Sequence, residues 1–142
     1  MPYLFKQKLN IGDLIALNTE AKRVLIFEPE EYLSGIYAYH LSNQDFEVVE
    51  RRDLYETASA LSLYKPHLLV FNAEFLGGTK KNKTWLLSVK KDYPQLHVVT
   101  TGYNLSSEGV GELMAAGISS HLNRRLTRPQ DLAVIVKSIL YS

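Results

Sequence analysis

The sequence predicts an α/β fold in which five parallel strands alternate with helices in a doubly wound, three-layer sandwich. Short runs that are apolar on both faces recur along the chain, and such runs suit the central strands of a parallel sheet. Segments whose apolar residues follow helical spacing separate these runs. Strands that alternate with helices in this way are typical of a parallel sheet covered by helices on both faces.

Five segments are predicted as strands, and residues that interrupt regular structure bound them. The first strand is an apolar run closed by Glu28-Pro29-Glu30, and the third begins directly after Lys65-Pro66. The fourth leads into a turn at residues 101–104 that contains Gly102. The predicted strands cover residues 24–27, 46–49, 67–71, 96–100 and 118–123.

Five helices are predicted from helical spacing and from residues that favour helix ends. Asp53 is a candidate N-cap for the second helix, and Gly117 is a candidate C-cap for the fourth. Pro129 occupies the first turn of the last helix, where a missing N–H is tolerated. Residues 72–83, which include Gly77-Gly78 and three lysines, are predicted as a loop. The predicted helices cover residues 32–41, 53–64, 84–91, 107–116 and a last segment that begins at Pro129.

The apolar positions of the predicted helices indicate which side chains form the core. The second helix is expected to bury Leu61 and Leu63, and the fourth is expected to bury Leu113 and Met114. The last helix carries apolar groups on more than one side, Val134 among them. One of its faces is therefore available either for the core or for a partner.

The length and the charge of the chain favour a single domain without a polyanionic partner. A chain of 142 residues with 46% hydrophobic residues can build one proper core. Residues 1–21 are expected to form an N-terminal extension with a short amphipathic segment, and residues 22–142 are expected to form the domain. The formal net charge of +1 gives no long-range field toward nucleic acid or membrane, so neither is expected as a partner.

The residue types present also restrict the chemistry. The chain has no cysteine, and its four histidines are scattered without the spacing of metal ligands. No metal and no cofactor are therefore expected. No apolar run approaches the roughly 20 residues that cross a bilayer. The N-terminus lacks the apolar stretch of a signal peptide, so a cytoplasmic location is expected.

Polar side chains follow four of the predicted strands. Glu28 and Glu30 follow the first strand, Asn72 the third, Thr101 the fourth and Arg124 the fifth. The carboxyl ends of parallel strands meet at one edge of the sheet, where ligands and reacting groups collect. Acidic groups, an aspartate, a hydroxyl and a cation at these places would bind Mg²⁺, accept a phosphoryl group and stabilise it. Phosphoryl transfer needs such a set because its catalysis is mostly positioning and charge neutralisation.

This arrangement resembles the response-regulator receiver family over Lys22 to Leu140. The resemblance implies a flavodoxin-like sheet with strand order 2-1-3-4-5. The segments that carry it are RVLIFEPE at 23–30, KPHLLVFN at 65–72, VVTTG at 98–102, MAAGI at 114–118 and LNRR at 122–125.

The departures from the family pattern concern its chemistry. Pro29 stands where the family has one member of its acidic pair, and it offers no side-chain ligand. Asn72 stands at the position of the acceptor aspartate, and an amide cannot form an acyl phosphate. Arg124 replaces the family's lysine, so the charge is kept on a planar group. Arg125 replaces the proline that usually follows, and His121 replaces the switch aromatic.

The resemblance and its departures together predict a degenerate acceptor pocket. Its members are Glu28, Glu30, Asn72, Thr101 and Arg124. We expect Arg124 to form an ion pair with Glu28 or Glu30 that locks the pocket in one state, since the acidic cluster has lost members. No catalytic residue is expected in this pocket.

The function that follows is a non-phosphorylatable, receiver-like signalling domain that acts through protein–protein contact and is not an enzyme. Two alternatives stay open: a phospho-acceptor with an atypical site, and a small-ligand sensor that uses the same pocket. By resemblance, the partner is a signalling protein or a second copy of the chain. The partner surface would be lined by Glu112, His121, Arg128 and Lys137. Exposed Tyr32 and Tyr39 on one flank of the first helix would also suit a partner.

Overall fold

The computed structural model describes residues 21–75 and 78–141, and the predicted amphipathic segment within residues 1–20 lies outside them. Its five strands all run parallel in the order β2-β1-β3-β4-β5, which confirms the predicted sheet and its strand order. The strands are β1 (Arg23–Phe27), β2 (Glu47–Arg51), β3 (Leu68–Asn72), β4 (His97–Gly102) and β5 (Ser120–Asn123).

Five helices among the described residues cover the sheet and make it the middle layer of a three-layer sandwich. They are α1 (Glu31–Ser42), α2 (Leu54–Tyr64), α3 (Thr79–Asp92), α4 (Ser107–Ala115) and α5 (Pro129–Leu140). One core cluster joins α1 and α5 to one face of the sheet, for example through Tyr37 and Leu132. The other joins α2, α3 and α4 to the opposite face, for example through Leu61, Leu86 and Leu113.

Several helices begin or end at the residues that the sequence predicted for their ends. The side chain of Asp53 accepts a hydrogen bond from the backbone N–H of Glu56 and caps α2. Pro129 lies in the first turn of α5. Gly117, just beyond α4, has φ +100°, a backbone conformation that glycine adopts at little cost.

The prediction that residues 72–83 form a loop is wrong, because α3 begins at Thr79. The predicted basic loop is therefore the first turns of a helix, and Lys80, Lys81 and Lys83 lie on it. Lysine is a good helix former, and Asn82 reinforces this turn by donating from its side chain to the carbonyl of Gly78 at 2.9 Å. The start of α3 was not predicted because the adjacent glycines are typical of a loop.

Two predicted core residues lie on the surface. Leu63 is 83% exposed and Met114 is 48% exposed, whereas Leu61 and Leu113 are buried as predicted. The helices turn Thr57 and Gly109 toward the sheet instead, which shifts the buried stripe away from the two misassigned positions. In the described ranges, no helix is long and apolar enough to cross a membrane.

The contrast between Leu61 and Leu63 gives a direct test of this packing. Leu61→Ala should lower the free energy of unfolding by about 2–5 kcal/mol, because it leaves a cavity in the core. Leu63→Ala should change it by less than about 0.5 kcal/mol, since this side chain contacts mostly solvent. Urea unfolding of both variants measures the two values. Equal losses would contradict the described position of α2.

Candidate functional site

The carboxyl ends of β1, β3, β4 and β5 meet at one edge of the sheet. Asn72 is paired with Thr101 in the β3–β4 register, and Gly102 with Asn123 in the β4–β5 register. Glu28 follows β1, and its backbone N–H donates to the carbonyl of Arg51 at 3.2 Å. The fold therefore brings three predicted pocket residues, Glu28, Asn72 and Thr101, to neighbouring positions.

The pocket side chains share the face of the sheet that packs against α1 and α5. Ile26, Val70, Val99 and Leu122 belong to the core cluster on that face. Glu28, Asn72, Thr101 and Arg124 each lie two residues further along the chain, and alternate residues of a strand point to the same face. Tyr37 on α1 is buried on this side: burial raises its pKa to about 12, while the charge of Arg124 lowers it and that of Glu28 raises it.

Glu28 is a buried carboxylate, with 2% of its surface exposed. Burial raises the pKa of Glu28 above its ordinary value, because removing a charge from water disfavours the ionised form. Hydrogen bonds from the backbone N–H of Glu30 and from the amide of Asn72, together with the charge of Arg124, oppose this rise in pKa. The N–H of Glu30 lies 3.0 Å from Oε2 of Glu28. Because Glu28 is buried, its negative charge is stabilised mainly by these hydrogen-bond donors and not by water.

Asn72 provides the side-chain donor to that carboxylate. Its Nδ2 lies 3.0 Å from Oε1 and 3.2 Å from Oε2 of Glu28. Its Oδ1 accepts a hydrogen bond from the backbone N–H of Glu74 at 2.8 Å. An acceptor on one side and a donor on the other fix the amide orientation. A carboxylate at this position could accept from Glu74 but could not donate to Glu28.

Thr101 and its neighbour Thr100 are both buried but differ in their hydrogen bonds. Among the described residues, Oγ1 of Thr101 has no hydrogen-bond partner. Oγ1 of Thr100 lies 2.7 Å from Nδ1 of His121, its register partner on β5. His121 thus bonds the threonine that faces away from the pocket. The hydroxyl of Thr101, predicted as a pocket group, is therefore buried without a hydrogen-bond partner among the described residues.

Arg124 does not form the predicted ion pair. Within the described part of the chain, no ion pair within 4.0 Å joins it to Glu28 or Glu30. Its guanidinium carbon lies 5.9 Å from the ring centroid of Tyr103, and its charge still lowers the pKa of Glu28. The charge of Arg124 therefore attracts Glu28 at a longer range than an ion pair, and Asn72 is the side chain that donates to the carboxylate.

Glu30 also has a different role from the one predicted. Its side chain accepts a hydrogen bond from the backbone N–H of Leu33 at 2.9 Å and caps α1. Glu30 itself is exposed. The sequence placed it in the pocket because it lies near the end of β1, but the start of α1 binds its carboxylate instead.

The donor set at this edge does not fit a divalent cation such as Mg²⁺. Mg²⁺ requires oxygen ligands in near-octahedral geometry. Glu28 already accepts from an amide and a backbone N–H, the oxygen of Asn72 accepts from Glu74, and Pro29 offers no side-chain oxygen. Within residues 21–75 and 78–141, no group of three or more acidic or histidine side chains could hold a metal ion.

Glu74 and Arg125 hold the β4–α4 loop, and sequence reasoning missed Glu74 entirely. The two carboxylate oxygens of Glu74 accept from the backbone N–H groups of Tyr103 and Asn104 at 2.8 and 2.7 Å. Arg125 donates to the carbonyl of Tyr103 at 3.0 Å and to Oδ1 of Asn104 at 2.6 Å. The guanidinium of Arg125 also stacks over the Tyr103 ring at 4.4 Å. We call Glu74, Tyr103, Asn104 and Arg125 the loop clamp.

The predicted partner surface lies on α4, β5 and α5. Glu112, Arg128 and Lys137 are exposed there, whereas His121 is half-buried and bonded to Thr100. Lys137 donates to the side chain of Gln44 at 3.3 Å. Three apolar side chains on or beside these elements are also exposed: Met114 at 48%, Leu126 at 82% and Val134 at 67%.

Solved structures of response-regulator receiver domains share this fold. A response regulator from Thermotoga maritima matches with a TM-score of 0.78 at 16% identity, covering 87% of this chain and 100% of that one. An orphan response regulator of H. pylori matches with a TM-score of 0.73 at 15% identity, covering 84% and 96%. The chain therefore has the receiver-domain fold.

Another similar structure is that of an atypical orphan response regulator described as having a phosphorylation-independent regulatory mechanism. It has a TM-score of 0.71 and 15% identity, and the match covers 83% of this chain and 94% of that one. No protein-family model matches the sequence, and no curated protein matches it. At these identities the likeness concerns the fold.

The two adjacent threonines provide a test of the site's hydrogen bonding. Thr101→Val should leave the free energy of unfolding unchanged or raise it by about 1 kcal/mol, because it removes a buried hydroxyl without a partner. Thr100→Val should lower it by about 1–2 kcal/mol, because it leaves His121 without its acceptor or donor. Urea unfolding of the matched pair gives both values. A larger loss for Thr101→Val than for Thr100→Val would contradict the geometry.

The position of His121 predicts a pH dependence. Burial lowers the pKa of His121, although the charge of Glu74 opposes this shift. The unfolded chain then binds more protons, so the free energy of unfolding should fall as pH drops through the ordinary histidine pKa of about 6.5. His121→Asn can still bond Thr100 but does not titrate, so its loss of stability between pH 7.5 and pH 5 should be smaller. Identical pH profiles for the two proteins would refute this assignment.

Proposed function

We propose that this chain is a receiver-like signalling domain that acts through protein–protein contact and does not accept a phosphoryl group. The observation that carries the proposal is the pair of contacts from Asn72 Nδ2 to the Glu28 carboxylate. In this pocket an amide supplies to a buried carboxylate the stabilisation that a bound cation would otherwise supply. The charge of Glu28 is therefore stabilised without a metal, and residue 72 presents no nucleophilic carboxylate.

The loop clamp supports a domain that holds one conformation. The β4–α4 loop is bonded on one side by Glu74, next to the pocket, and on the other by Arg125 from the segment after β5. A switch requires two arrangements of such an element, each favoured under different conditions. Here Glu74 and Arg125 both bind the loop without a ligand or a phosphoryl group. This favours signalling through a surface that keeps one conformation.

The partner surface in this proposal is the exposed part of α4, the segment after β5 and α5. Met114, Leu126 and Val134 are its exposed apolar residues, and Glu112, Arg128 and Lys137 are its exposed charged residues. Exposed apolar and charged groups both occur on surfaces that bind proteins. The fold is shared with an orphan regulator described as phosphorylation-independent, which is consistent with this mode of action. A cytoplasmic location and a signalling protein as partner belong to the same proposal.

Incubation with acetyl phosphate and Mg²⁺, followed by intact-mass measurement, tests the absence of phosphoryl transfer. The expected result is an unchanged mass. A stable added phosphoryl group would overturn the proposal in favour of a phospho-acceptor. A small metabolite that raises the unfolding temperature in the same buffer, and loses this effect in Thr101→Val, would favour the ligand-sensor alternative.

Capture of a partner tests the surface. Proteins bound to the immobilised chain should be the same with and without the phosphodonor. Val134→Arg should abolish their binding, whereas Leu63→Arg, on a distant exposed position, should not. Binding that requires acetyl phosphate, or that survives Val134→Arg, would contradict the proposed surface.

Restoring the family's aspartate should destabilise the chain. Asn72→Asp removes a donor to Glu28 and places two carboxylates within about 3 Å, so the free energy of unfolding at pH 8 should fall by about 2–3 kcal/mol. The repulsion raises the folded-state pKa of the pair, so the loss should be smaller at pH 5, where the pair binds a proton. Asn43→Asp, exposed at the end of α1, is the matched control. An equally small effect of both substitutions at pH 8 would contradict the role given to Asn72.

A further inference from the structure

The edge strand β2 offers a second interaction surface on the opposite side of the sheet. Within the described sheet, β2 pairs with β1 on one side and with no strand on the other. The N–H of Glu47 donates to the carbonyl of Lys22 at 2.9 Å, and the carbonyl of Arg51 accepts from Glu28 at 3.2 Å. Because backbone groups alternate along a strand, those of Val48 and Glu50 point away from the sheet. Such an edge is a template for another strand.

Exposed aromatic and apolar side chains flank this edge on both faces. Tyr32 and Tyr39 on α1 are 77% and 63% exposed, which confirms the exposure predicted from the sequence. Tyr55 and Leu63 on α2 are 85% and 83% exposed. A groove of about 600 Å³ lies on the α1 side of the edge and one of about 640 Å³ lies on the α2 side. Tyrosines beside an open strand edge are typical of a protein interface.

The sequence of β2 is complementary in charge to itself when two copies run antiparallel. With the two-fold axis at Val49, Glu47 of one copy lies opposite Arg51 of the second copy, and the reverse pair forms across the axis. Directly opposed residues share one face of the sheet, so each pair joins opposite charges. Val48 then lies opposite Glu50 of the second copy, and both have outward backbone groups that can exchange hydrogen bonds.

We propose that two copies of this chain associate through antiparallel pairing of their β2 edges about Val49. The product is a continuous sheet with five strands from each copy. A two-fold contact of this kind is self-complementary and closes on itself as a dimer. β2 and β5 are the two edge strands of the described sheet, so this contact uses a different strand edge from the β5 side of the partner surface proposed above.

The contact of Arg51 with its own strand must change when the edges pair. Nη1 of Arg51 donates to the carbonyl of Glu50 at 2.7 Å, and this carbonyl is one of the outward groups. A charged side chain over an edge hydrogen-bond acceptor hinders pairing with unrelated strands. In the dimer, Arg51 releases this carbonyl and binds Glu47 of the second copy. The exchange makes the edge selective for a strand that offers a carboxylate at that position.

Charge reversal tests the register. Glu47→Arg and Arg51→Glu each place like charges opposite one another twice, so each should weaken dimerisation by at least about tenfold. The double variant Glu47→Arg with Arg51→Glu restores opposite charges and should recover the dimer. Sedimentation equilibrium of the full chain measures the association constant. Glu112→Arg, on the other partner surface, is the matched control and should leave this constant unchanged.

Cross-linking tests the geometry in the same full-length protein. Since the chain has no cysteine, Val49→Cys should form a disulfide-linked dimer on mild oxidation, because residues opposed at the two-fold axis are within disulfide range. Glu47→Cys should not, since it faces residue 51 of the second copy. A chain that stays monomeric at high concentration overturns the proposal. Loss of the dimer in Glu112→Arg alone, or failure of the double variant to recover it while its circular dichroism is native, also overturns it.

Discussion

The hydrogen bonds from the Asn72 amide to the Glu28 carboxylate organise the carboxyl edge of this sheet. A buried carboxylate is costly unless donors stabilise its charge, and Glu28 has little access to water. Asn72 supplies that stabilisation from β3, and the backbone of Glu30 supplies more from the start of α1. The oxygen of the same amide binds the N–H of Glu74. One side chain therefore joins the loops after β1 and β3.

The hydrogen bonds continue from Glu74 across the rest of the edge. Its carboxylate holds two consecutive N–H groups of the β4–α4 loop, and Arg125 holds the other side of that loop. A carboxylate at residue 72 would repel Glu28 and would require a proton or a cation between them. The amide removes that requirement. The hydrogen bonds of the pocket and of the β4–α4 loop are therefore linked through the uncharged amide of Asn72 and the carboxylate of Glu74.

Much of the fold could be predicted because the apolar runs and the end residues agree with each other. Phe27, Phe71 and Leu122 lie in strands that the pattern located, and Asp53 caps the helix it was expected to begin. The start of α3 was missed because adjacent glycines and lysines are as typical of a loop as of a helix start. Leu63 was misassigned because the buried stripe of a short helix also includes small and polar residues, here Thr57.

The sequence predicted which residues lie at the strand ends but not the contacts of their side chains. The strand ends placed Glu28, Asn72 and Thr101 together, since parallel strands end at one edge. The ion pair of Arg124 could not be judged from charge alone, because the competing donor to Glu28 is an uncharged amide. Glu74 gave a signal that was not used: a carboxylate two residues beyond the end of β3 can reach the neighbouring loop. Pairings of this kind depend on distances that sequence spacing does not contain.

A double-mutant cycle between Glu28 and Asn72 tests the central claim most directly. Glu28→Ala, Asn72→Ala and the double variant are compared with the unaltered chain by urea unfolding at pH 7.5. A hydrogen bond to a charged group predicts a coupling energy of about 1.5–3 kcal/mol between the two positions. Additive losses, with a coupling energy near zero, would show that the amide does not stabilise the carboxylate and would contradict the account.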